Sequence, residues 1–189
     1  MNVGEAIVTR RSVRDYQEKP VPDDVLVDIL ETAKWAPSPV NSQPWRFIVI
    51  RDREILTRVM AHAKYGSHLS EVPMAIAVIA TDVETFHWFN EIEENKYAAA
   101  VVATSIMLAA WEKGVGTGWV SVDRKEINDI LDVPREYTVV AVIAMGYPVR
   151  VEPHSDADRR PLDMMVFSGK YGERFPRIDE EWVEEHMKK

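Results

Sequence analysis

The sequence predicts a layered α+β or α/β domain in which helices and strands alternate. Three observations predict this class: apolar runs of strand length recur along the chain, amphipathic stretches of helix length separate them, and 189 residues is the usual size of one domain. The predicted order is two helices, then four strands separated by three helices, then a polar tail. An apolar fraction of 46% is enough to build a core around such a sheet.

The first two helices and the first strand are predicted from apolar spacing and from end signals. Apolar residues recur at helical spacing in VGEAIVTRR, near the N-terminus. A clearer helix follows in VPDDVLVDILETAKWA, where Pro22 suits a first turn and the Asp23–Asp24 pair suits the positive end of the helix. Pro37 stops that helix, and the apolar run WRFIVI predicts a strand at 45–50.

The rest of the sheet follows the same alternation. A long helix is predicted over roughly 84–112, and because its second half is apolar on most of its circumference it should be buried or lie at a subunit interface. The chain from about 149 onward is polar, with one short helix at its end, and must dock on something or fray. The remaining predicted elements are a helix at DREILTRVMAHAKY, a strand at PMAIAVIAT covered on both sides, a strand at GVGTGWVSV, a helix at DRKEINDILDVP capped by Asp123, and a strand at YTVVAVIAMGYP.

Composition and charge exclude several classes of protein. The net charge of −8 argues against nucleic acid as the main partner, because phosphate binding needs a basic face. With no cysteine, disulfides, thiol catalysis and thiolate metal sites are absent. The longest uncharged run, Tyr97–Trp111, covers about 15 residues, short of the roughly 20 that a membrane span needs, and the N-terminus lacks a signal-peptide core. We therefore expect a soluble cytoplasmic protein with neither a nucleic-acid nor a membrane partner.

The five histidines do not predict a metal site. They are scattered, none forms an HExxH-like pair, and the chain has no GxSxG elbow. We expect neither a bound metal nor a catalytic triad.

Three arginines cluster in RRSVR, residues 10–14. Arg10, Arg11 and Arg14 surround Ser12, and guanidinium groups together with a hydroxyl donor match the oxygens of a phosphate. The alternative is a solvated basic helix end, which the helix dipole would favour. These five residues alone leave both interpretations open.

The glycines of GVGTGW do not form a dinucleotide fingerprint. That fingerprint runs from a strand through G-x-G-x-x-G into a helix, whereas Gly114, Gly116 and Gly118 follow a helix and precede a strand. Gly114 is predicted to be a helix C-cap. Gly116 and Gly118 permit either tight turning or close backbone approach to a ligand, and the sequence does not separate the two.

Prolines and amides are concentrated in APSPVNSQPW, residues 36–45. Asn41, Ser42 and Gln43 offer donors and acceptors, and prolines on both sides stiffen the chain. A rigid loop of this kind can read the polar edge of a flat heterocycle, but it is also an acceptable connection from a helix to a strand. The aromatic patch FHWF, residues 86–89, is interpreted as core packing rather than as the lining of a pocket for flat substrates.

These motifs, taken together, resemble one known family. RRSVRDY, APSPVNSQPWRF and LAAWEKGVGTGWVS have the order and spacing of the FMN-dependent nitroreductase family, and RRPLDMMV resembles that family's closing motif. The resemblance runs from about residue 3 to 167. It implies a central, mostly antiparallel sheet flanked by helices, in an intertwined homodimer with two FMN molecules at its interface and the long helix as the dimer's core. Residues 1–168 would form the FMN-binding domain and residues 169–189 a tail that reaches the partner.

The resemblance also implies which residues bind FMN. Contacts with the phosphate and the flavin edge are implied for Arg10, Arg11, Ser12 and Arg14. The tail arginine that closes on the phosphate is implied to be Arg159, with Arg160 as its neighbour and rival. The segment that crosses from the partner subunit to touch the flavin is implied to be Pro37, Ser38, Pro39 and Asn41. The strand start that packs on one flavin face is implied to be Trp119, Val120 and Ser121, where a backbone N–H near position 121 would meet flavin N5.

The sequence departs from the family pattern at two places. Some relatives carry a lysine two positions before the tail arginine, and here that position is Ala157. Phosphate binding must then rest more on the other contacts. The segment 65–71, which supplies a polar flavin contact in some relatives, aligns poorly and leaves Tyr65 and His68 as candidates.

The activity that the resemblance implies is that of an NAD(P)H oxidoreductase. NADH or NADPH would pass a hydride to flavin N5, and an electron-poor small molecule such as a nitroaromatic or a quinone would then be reduced at the same site, in ping-pong order. No catalytic side chain is expected, because the flavin carries the chemistry, while positive charge from Arg10 or Arg14 would stabilise the anionic reduced flavin. Dehalogenation, flavin fragmentation and ring dehydrogenation in the same fold stay open, as does a flavin-binding module without turnover. The sequence does not separate NADH from NADPH.

Overall fold

The computed structural model describes residues 1–64, 71–81, 91–151 and 159–176. The chain divides into two units, residues 1–151 and 152–189. The larger unit contains the sheet and its helices. In the smaller unit, the described residues form a 3₁₀ turn at Leu162–Met164 and an isolated antiparallel bridge between Phe167 and Arg174.

The order of helices and strands that the sequence predicts is confirmed in the described part of the larger unit. The helices are α1 (Val3–Thr9), α2 (Asp23–Ala33), α3 (Arg53–Ala61), α4 (Glu91–Glu112) and α5 (Arg124–Ile130). The strands are β1 (Trp45–Ile50), β2 (Met74–Ala80), β3 (Gly116–Val120) and β4 (Thr138–Gly146). The part of the predicted long helix before Glu91, the aromatic patch at 86–89 and the predicted helix at the C-terminal end lie outside the described residues.

The four strands form one antiparallel sheet in the order β1-β2-β4-β3. This confirms the mostly antiparallel sheet and decides between the α+β and α/β classes, which alternation of helices and strands leaves open. Helices cover both faces: buried side chains of α2 and α4 pack on one face, and those of α3 and α5 on the other. β1 and β3 are the two edge strands, so the residues just before β1 and those just before β3 lie at opposite edges of the sheet.

β2 is buried on both faces, as its continuous apolar sequence predicts. Every residue of Met74–Ala80 is buried. Ile76 and Val78 face the cluster under α2 and α4, whereas Ala77 and Ile79 face the cluster under α3 and α5. The core therefore continues through the middle of the sheet.

Helix ends follow the predicted signals. Asp123 caps α5, because its Oδ1 accepts hydrogen bonds from the N–H groups of Lys125 (3.1 Å) and Glu126 (3.5 Å). At α2, Pro22 lies at the N-cap position and the Asp23–Asp24 pair lies in the first turn. Both helix starts are thus fixed by local sequence.

Gly114 ends α4 as predicted. Its φ is 71°, a left-handed conformation that glycine adopts without strain. The N–H of Gly114 donates to the carbonyl of Trp111 (3.0 Å), and the N–H of Val115 donates to the carbonyl of Ala110 (2.9 Å). This pair of hydrogen bonds is a Schellman motif, and it delivers the chain directly into β3.

α4 buries only one side in the single chain. Ala99, Val102 and Ile106 are fully buried against the sheet, whereas Tyr97 and Val101 are exposed on the outward side. Burial of the long helix is therefore confirmed for one side, and a subunit interface stays a prediction for the other. In the part of the chain that the structure describes, no helix is long and apolar enough to cross a membrane.

Candidate functional site

The RRSVR segment leaves α1 as extended chain and joins the edge of the sheet. Ser12 forms a parallel bridge with Thr117, and the N–H of Val13 donates to the carbonyl of Thr117 (2.9 Å). Val13 is buried beside β3. Residues 10–14 therefore lie alongside the GTGWV motif, although the two are far apart in the sequence.

Gly116 and Gly118 make this docking possible. A Cβ atom at Gly116 would lie 2.6 Å from Cγ2 of Val13, and one at Gly118 would lie 2.8 Å from the carbonyl oxygen of Val13. A packed interior has no room for such overlaps, so a larger residue would push the segment off the strand. The close approach at these glycines is not to a ligand, which was one of the two interpretations that the sequence leaves open. The approaching group is the arginine-bearing segment of the same chain.

Alternation gives the residues of this segment two different surroundings. Val13 is buried on one side, and Arg10, Ser12 and Arg14 alternate with it on the other. Ser12 and Arg14 are exposed, and Arg10 is half-buried. No carboxylate among the described residues forms an ion pair with Arg14. The segment thus presents guanidinium and hydroxyl donors from one side, a set suited to phosphate or carbonyl oxygens.

The guanidinium group of Arg11 is engaged at the end of α1. Its Nη1 donates to the carbonyls of Val8 (3.0 Å) and Arg10 (2.7 Å). Carbonyls at the end of a helix have no intrahelical partner, so a cationic side chain is favourable there. The helix-end interpretation of RRSVR therefore applies to Arg11, and its contact with a cofactor stays a prediction.

Tyr16 fixes the far end of the segment, and sequence reasoning assigned it no role. Its hydroxyl donates to the carbonyl of Val13 (2.8 Å). Burial raises the pKa of Tyr16 well above its ordinary value, and the positive charge of Arg14 opposes that rise. Just beyond, the N–H of Gln17 donates to the carbonyl of Tyr147 (2.8 Å), which follows β4. The tyrosine ends the RRSVRDY motif, but a linear motif does not reveal where a hydroxyl points.

The predicted residues at the end of β3 have three different environments. The side chain of Trp119 is 40% exposed, Val120 is buried in the cluster under α3 and α5, and Ser121 is exposed just past the strand. The carbonyl of Ser121 accepts a hydrogen bond from the N–H of Lys64 (2.8 Å). Trp119 is therefore the aromatic surface that this end of the strand offers to a ligand.

Pairing places Trp119 beside the arginine segment. Because Ser12 and Thr117 pair in parallel, the chains advance in step, and Arg14 comes level with Trp119. The carbonyl of Thr117 points to the outer edge of β3, so alternation puts the N–H and carbonyl of Trp119 on that same edge. The structure thus brings two of the predicted groups together, the arginine segment and the end of β3.

The proline-rich loop forms a 3₁₀ turn, Pro39–Asn41, with strained backbone. Val40, Asn41 and Gln43 have φ values of 47°, 57° and 48°. This left-handed conformation is costly for residues with a Cβ, most of all for a β-branched one such as valine. Ser38 braces the loop: its Oγ accepts from the N–H of Gln43 (3.0 Å) and its carbonyl accepts from the N–H of Asn41 (3.1 Å). Val40 is exposed at the tip.

The loop and the arginine segment lie at opposite corners of the sheet. The loop enters β1 at one edge, whereas the segment pairs with β3 at the other. Trp45 pairs at one end of β2, and Ser12 lies level with the opposite end. Four strand spacings of about 4.8 Å and six residue rises of about 3.3 Å lie between Trp45 and Ser12, so their backbones are roughly 28 Å apart. One chain therefore does not bring Asn41 to the surface formed by Arg14 and Trp119.

The remaining predicted residues lie in the smaller unit or outside the described residues. Arg159 and Arg160 are exposed in the smaller unit, and their contact with a phosphate stays a prediction. Tyr65, His68 and Ala157 lie outside the described residues. In the described ranges, no group of three His, Asp or Glu side chains is placed to hold a metal ion.

The fold and this surface define a class of protein before any comparison is made. It is an α+β protein with an antiparallel sheet between helices and with donors for an anionic ligand collected on one edge strand. The model of the nitroreductase family matches residues 7–77 and 59–147. The chain belongs to the nitroreductase family and is an oxidoreductase.

Individual relatives agree on the family and differ in the reaction named. A protein of Methanothermobacter thermautotrophicus, provisionally assigned as an NADH dehydrogenase/NAD(P)H nitroreductase, is 35% identical over 78% of each chain. A 5,6-dimethylbenzimidazole synthase of Rhodospirillum rubrum is 31% identical over 79% of this chain and 83% of its own. Human iodotyrosine deiodinase 1 is 24% identical over 86% of this chain and 66% of its own. Among solved structures, an FMN-dependent nitroreductase of Clostridium difficile has a TM-score of 0.75 at 27% identity, covering 89% of this chain and 100% of that one.

Proposed function

We propose that the protein is an FMN-dependent oxidoreductase that uses NADH or NADPH to reduce a small electron-poor acceptor, such as a nitroaromatic or a quinone. The observation that carries the proposal is the docking of residues 10–14 on β3, which collects arginine, hydroxyl and strand-edge donors next to Trp119. The FMN-dependent relative of similar fold and the relative named for NAD(P)H both support it.

The residues present fit FMN in their donor chemistry. A phosphate and a flavin carbonyl edge both accept hydrogen bonds, and Arg10, Ser12 and Arg14 all donate from one side of their segment. Trp119 adds an exposed aromatic face of the kind on which a flat ring stacks. In this proposal Arg10 and Ser12 hold the phosphate, together with Arg159 or Arg160 from the tail.

When bound, FMN would supply the centre that accepts a hydride from the nicotinamide and passes electrons to the acceptor. The guanidinium of Arg14 would stabilise negative charge that develops on the nearby ring edge. The backbone N–H groups near Ser121 would offer donors at that edge. No side chain of this surface has to act as an acid or a base.

We further propose a homodimer, because a single chain holds only part of the site. The start of β1, four residues after Asn41, lies roughly 28 Å from the backbone at Ser12, by strand spacing and residue rise. A loop this far away can touch the flavin only if that flavin is bound mainly by the other subunit. The predicted partner contacts of Pro37, Ser38, Pro39 and Asn41 would then complete the site.

Exposed apolar surface supports the dimer. An open groove of about 320 Å³ lies between α1, the end of α2 and α4, and Pro37 lines it. Val3 and Trp35 beside it are 74% and 83% exposed, and Val101 is exposed on α4. Contiguous exposed apolar side chains on a water-exposed face are typical of a subunit interface. In the proposed dimer this face is covered, and the tail at 169–189 reaches the partner.

A second candidate is another flavin reaction in the same family. The similar proteins named as a dimethylbenzimidazole synthase and an iodotyrosine deiodinase support flavin fragmentation and dehalogenation as such alternatives. Dehalogenation would use the same FMN surface with a different substrate, and in flavin fragmentation the bound flavin would itself be the substrate. A flavin-binding module without turnover would use that surface with no substrate.

One experiment separates the proposed oxidoreductase from a flavin-binding module without turnover. The protein is purified with FMN and mixed anaerobically with NADH or NADPH in a stopped-flow instrument, and menadione or nitrofurazone is then added. We expect the visible flavin spectrum to bleach and then to return, with parallel initial-rate lines in steady state. A bound flavin that neither nucleotide bleaches would contradict the oxidoreductase, and a protein that takes up no FMN would contradict the cofactor. Sedimentation of the same sample checks the dimer.

A further inference from the structure

A second cleft opens at the end of β3, beside Trp119. Its volume is about 450 Å³. Among the described residues, its polar lining consists of Lys64, Ser121, Asp123, Arg124 and Lys125, with Trp119 as the aromatic wall. None of the functions derived above uses the three cationic side chains.

Hydrogen bonds fix the backbone around this cleft. The N–H of Lys64 donates to the carbonyl of Ser121 (2.8 Å), and the N–H of Asp123 donates to the carbonyl of His62 (3.1 Å). Ala63 and Val122 form an antiparallel bridge between these two hydrogen bonds. The chain after α3 is therefore paired with the chain after β3, and the walls are formed before any ligand arrives.

The cleft has an excess of positive charge in a chain whose net charge is −8. Among the described residues that line it are three cations and one carboxylate, Asp123, whose Oδ1 already accepts from N–H groups of α5. Lys125 lies within ion-pair distance of two acids of α5, at 3.9 and 3.6 Å. In the part of the chain that the structure describes, Lys64 and Arg124 form no ion pair with a carboxylate. Two cations thus stay available to a ligand.

We propose that this cleft binds an anionic group of the substrate, a phosphate or a carboxylate, while the reacting ring lies near Trp119. The inference rests on the proposed function, because it names the substrate class of that same redox site. Guanidinium and ammonium groups donate charge-assisted hydrogen bonds to either anion. Two sources carry such a group: the phosphates of a reduced nicotinamide dinucleotide and the carboxylate of an aromatic acceptor. A neutral nitroaromatic or quinone gains nothing from the cleft.

The test compares charged and neutral substrates in matched variants. Arg124→Gln removes one cation from the cleft, and Lys64→Gln combined with Arg124→Gln removes two. Arg135→Gln is the control, because Arg135 is an exposed arginine that lines the neighbouring cleft beyond α5. The nucleotide arm uses NADPH, NADH and the uncharged 1-benzyl-1,4-dihydronicotinamide. The acceptor arm uses 4-nitrobenzoate and 4-nitrobenzyl alcohol.

We expect the KM of the anionic substrate in one arm to rise about fivefold in Arg124→Gln and about twentyfold in the double variant. The arm that responds identifies the source of the anion. KM for the neutral substrates, and every KM in Arg135→Gln, should change less than about twofold, since exposed charges outside the cleft are screened. Equal changes for charged and neutral substrates would overturn the inference.

A binding measurement keeps this inference separate from the proposed function. Titration calorimetry of the protein as purified, with NADP⁺ and with 4-nitrobenzoate, needs no turnover. The dissociation constant of one of the two anions should rise about fivefold in Arg124→Gln, as expected for KM, and should stay unchanged in Arg135→Gln. Identical affinities in both variants for both anions would overturn the anion site. A wild-type protein that neither nucleotide nor the neutral analogue reduces would instead contradict the oxidoreductase, and the titration would still decide the cleft.

Discussion

The two regions predicted to contact the flavin are held in opposite ways. Residues 10–14 are tied to the sheet, with a hydrogen bond from Val13 to Thr117 on one side and the Tyr16 hydroxyl on the other. The tip of the proline-rich loop, residues 38–43, is held by the loop's own Ser38 and lies in a strained conformation. One region is part of the framework, and the other stores strain at an exposed corner.

This difference indicates what each region can do. A segment built into the sheet forms its half of a site in the single chain, because its geometry depends only on its own strand. A strained, exposed tip has no such support, and backbone strain is retained where the surroundings or a function require it. In the proposed dimer the loop of one subunit completes the half-site of the other. Changes to the first region should therefore affect flavin binding directly, and changes to the second should do so through the dimer.

The largest expected effect comes from adding one methyl group under the arginine segment. In Gly118→Ala the new Cβ would lie 2.8 Å from the carbonyl oxygen of Val13, which cannot move without breaking the pairing. We expect a loss of about 1–3 kcal/mol in the free energy of unfolding, and FMN affinity lower by more than tenfold. Denaturant unfolding and fluorescence titration measure the two.

The control for Gly118→Ala is Gly4→Ala, in α1. There the new Cβ would meet Oδ1 of Asn2 at 3.4 Å, an ordinary contact with a side chain, and alanine favours the helix. It should leave FMN affinity unchanged. Normal stability and FMN binding in Gly118→Ala would mean that the segment is not docked as described.

The next largest effect is expected for Arg10, whose replacement should weaken FMN binding more than replacement of its neighbour Arg11. Arg10→Ala is expected to cost about 1.5–3 kcal/mol of FMN binding, the range for a hydrogen bond to a charged group. Arg11→Ala should change FMN affinity less than about threefold, because its guanidinium is already engaged with the carbonyls of Val8 and Arg10. The two dissociation constants are measured on the same apoprotein preparation. Equal losses in both variants would contradict the division of roles.

The sequence predicted the helices and strands of the fold and the burial of its central strand, but not the direction of the strands. The continuous apolar run of β2 predicted its burial on both faces, and the signals at Asp123 and Gly114 gave helix ends correctly. It did not give strand direction, because burial on both faces is compatible with parallel and antiparallel neighbours alike. Only the resemblance supplied the antiparallel sheet that the structure confirms.

The site was harder to predict, because its contacts join distant parts of the chain. Gly118 could serve a turn, a ligand or another segment, and only the approach of Val13 decides among them. Valine rarely adopts a positive φ, so the amino-acid sequence does not indicate that Val40 does. Arg11 and Arg14 read alike in sequence, yet one caps its own helix and the other is exposed.

A smaller effect tests the strain in the loop. Val40→Gly should raise the free energy of unfolding by about 1 kcal/mol, since relief of the left-handed strain exceeds the added entropy of the unfolded chain. Val149→Gly is the matched control, because Val149 is similarly exposed but has no positive φ. It should be destabilising by about 0.5–1 kcal/mol. Changes of the same sign in both variants, measured by denaturant unfolding, would argue against strain at position 40.

The smallest effect at neutral pH is expected for Tyr16→Phe, which removes the hydrogen bond to the carbonyl of Val13. The cost should be about 0.5–1 kcal/mol of unfolding free energy.

Burial raises the pKa of Tyr16 in the folded protein above its ordinary 10.0. The unfolded chain therefore ionises this phenol first as pH rises. The stability that Tyr16 contributes is present below about pH 10 and is lost above it, at up to about 1.4 kcal/mol per pH unit. The free energy of unfolding, measured in urea between about pH 8 and 11, should thus fall more steeply with pH for the wild type than for Tyr16→Phe. Parallel curves would mean that the phenol is not buried against the segment, and that the arginines are held by the pairing with β3 alone.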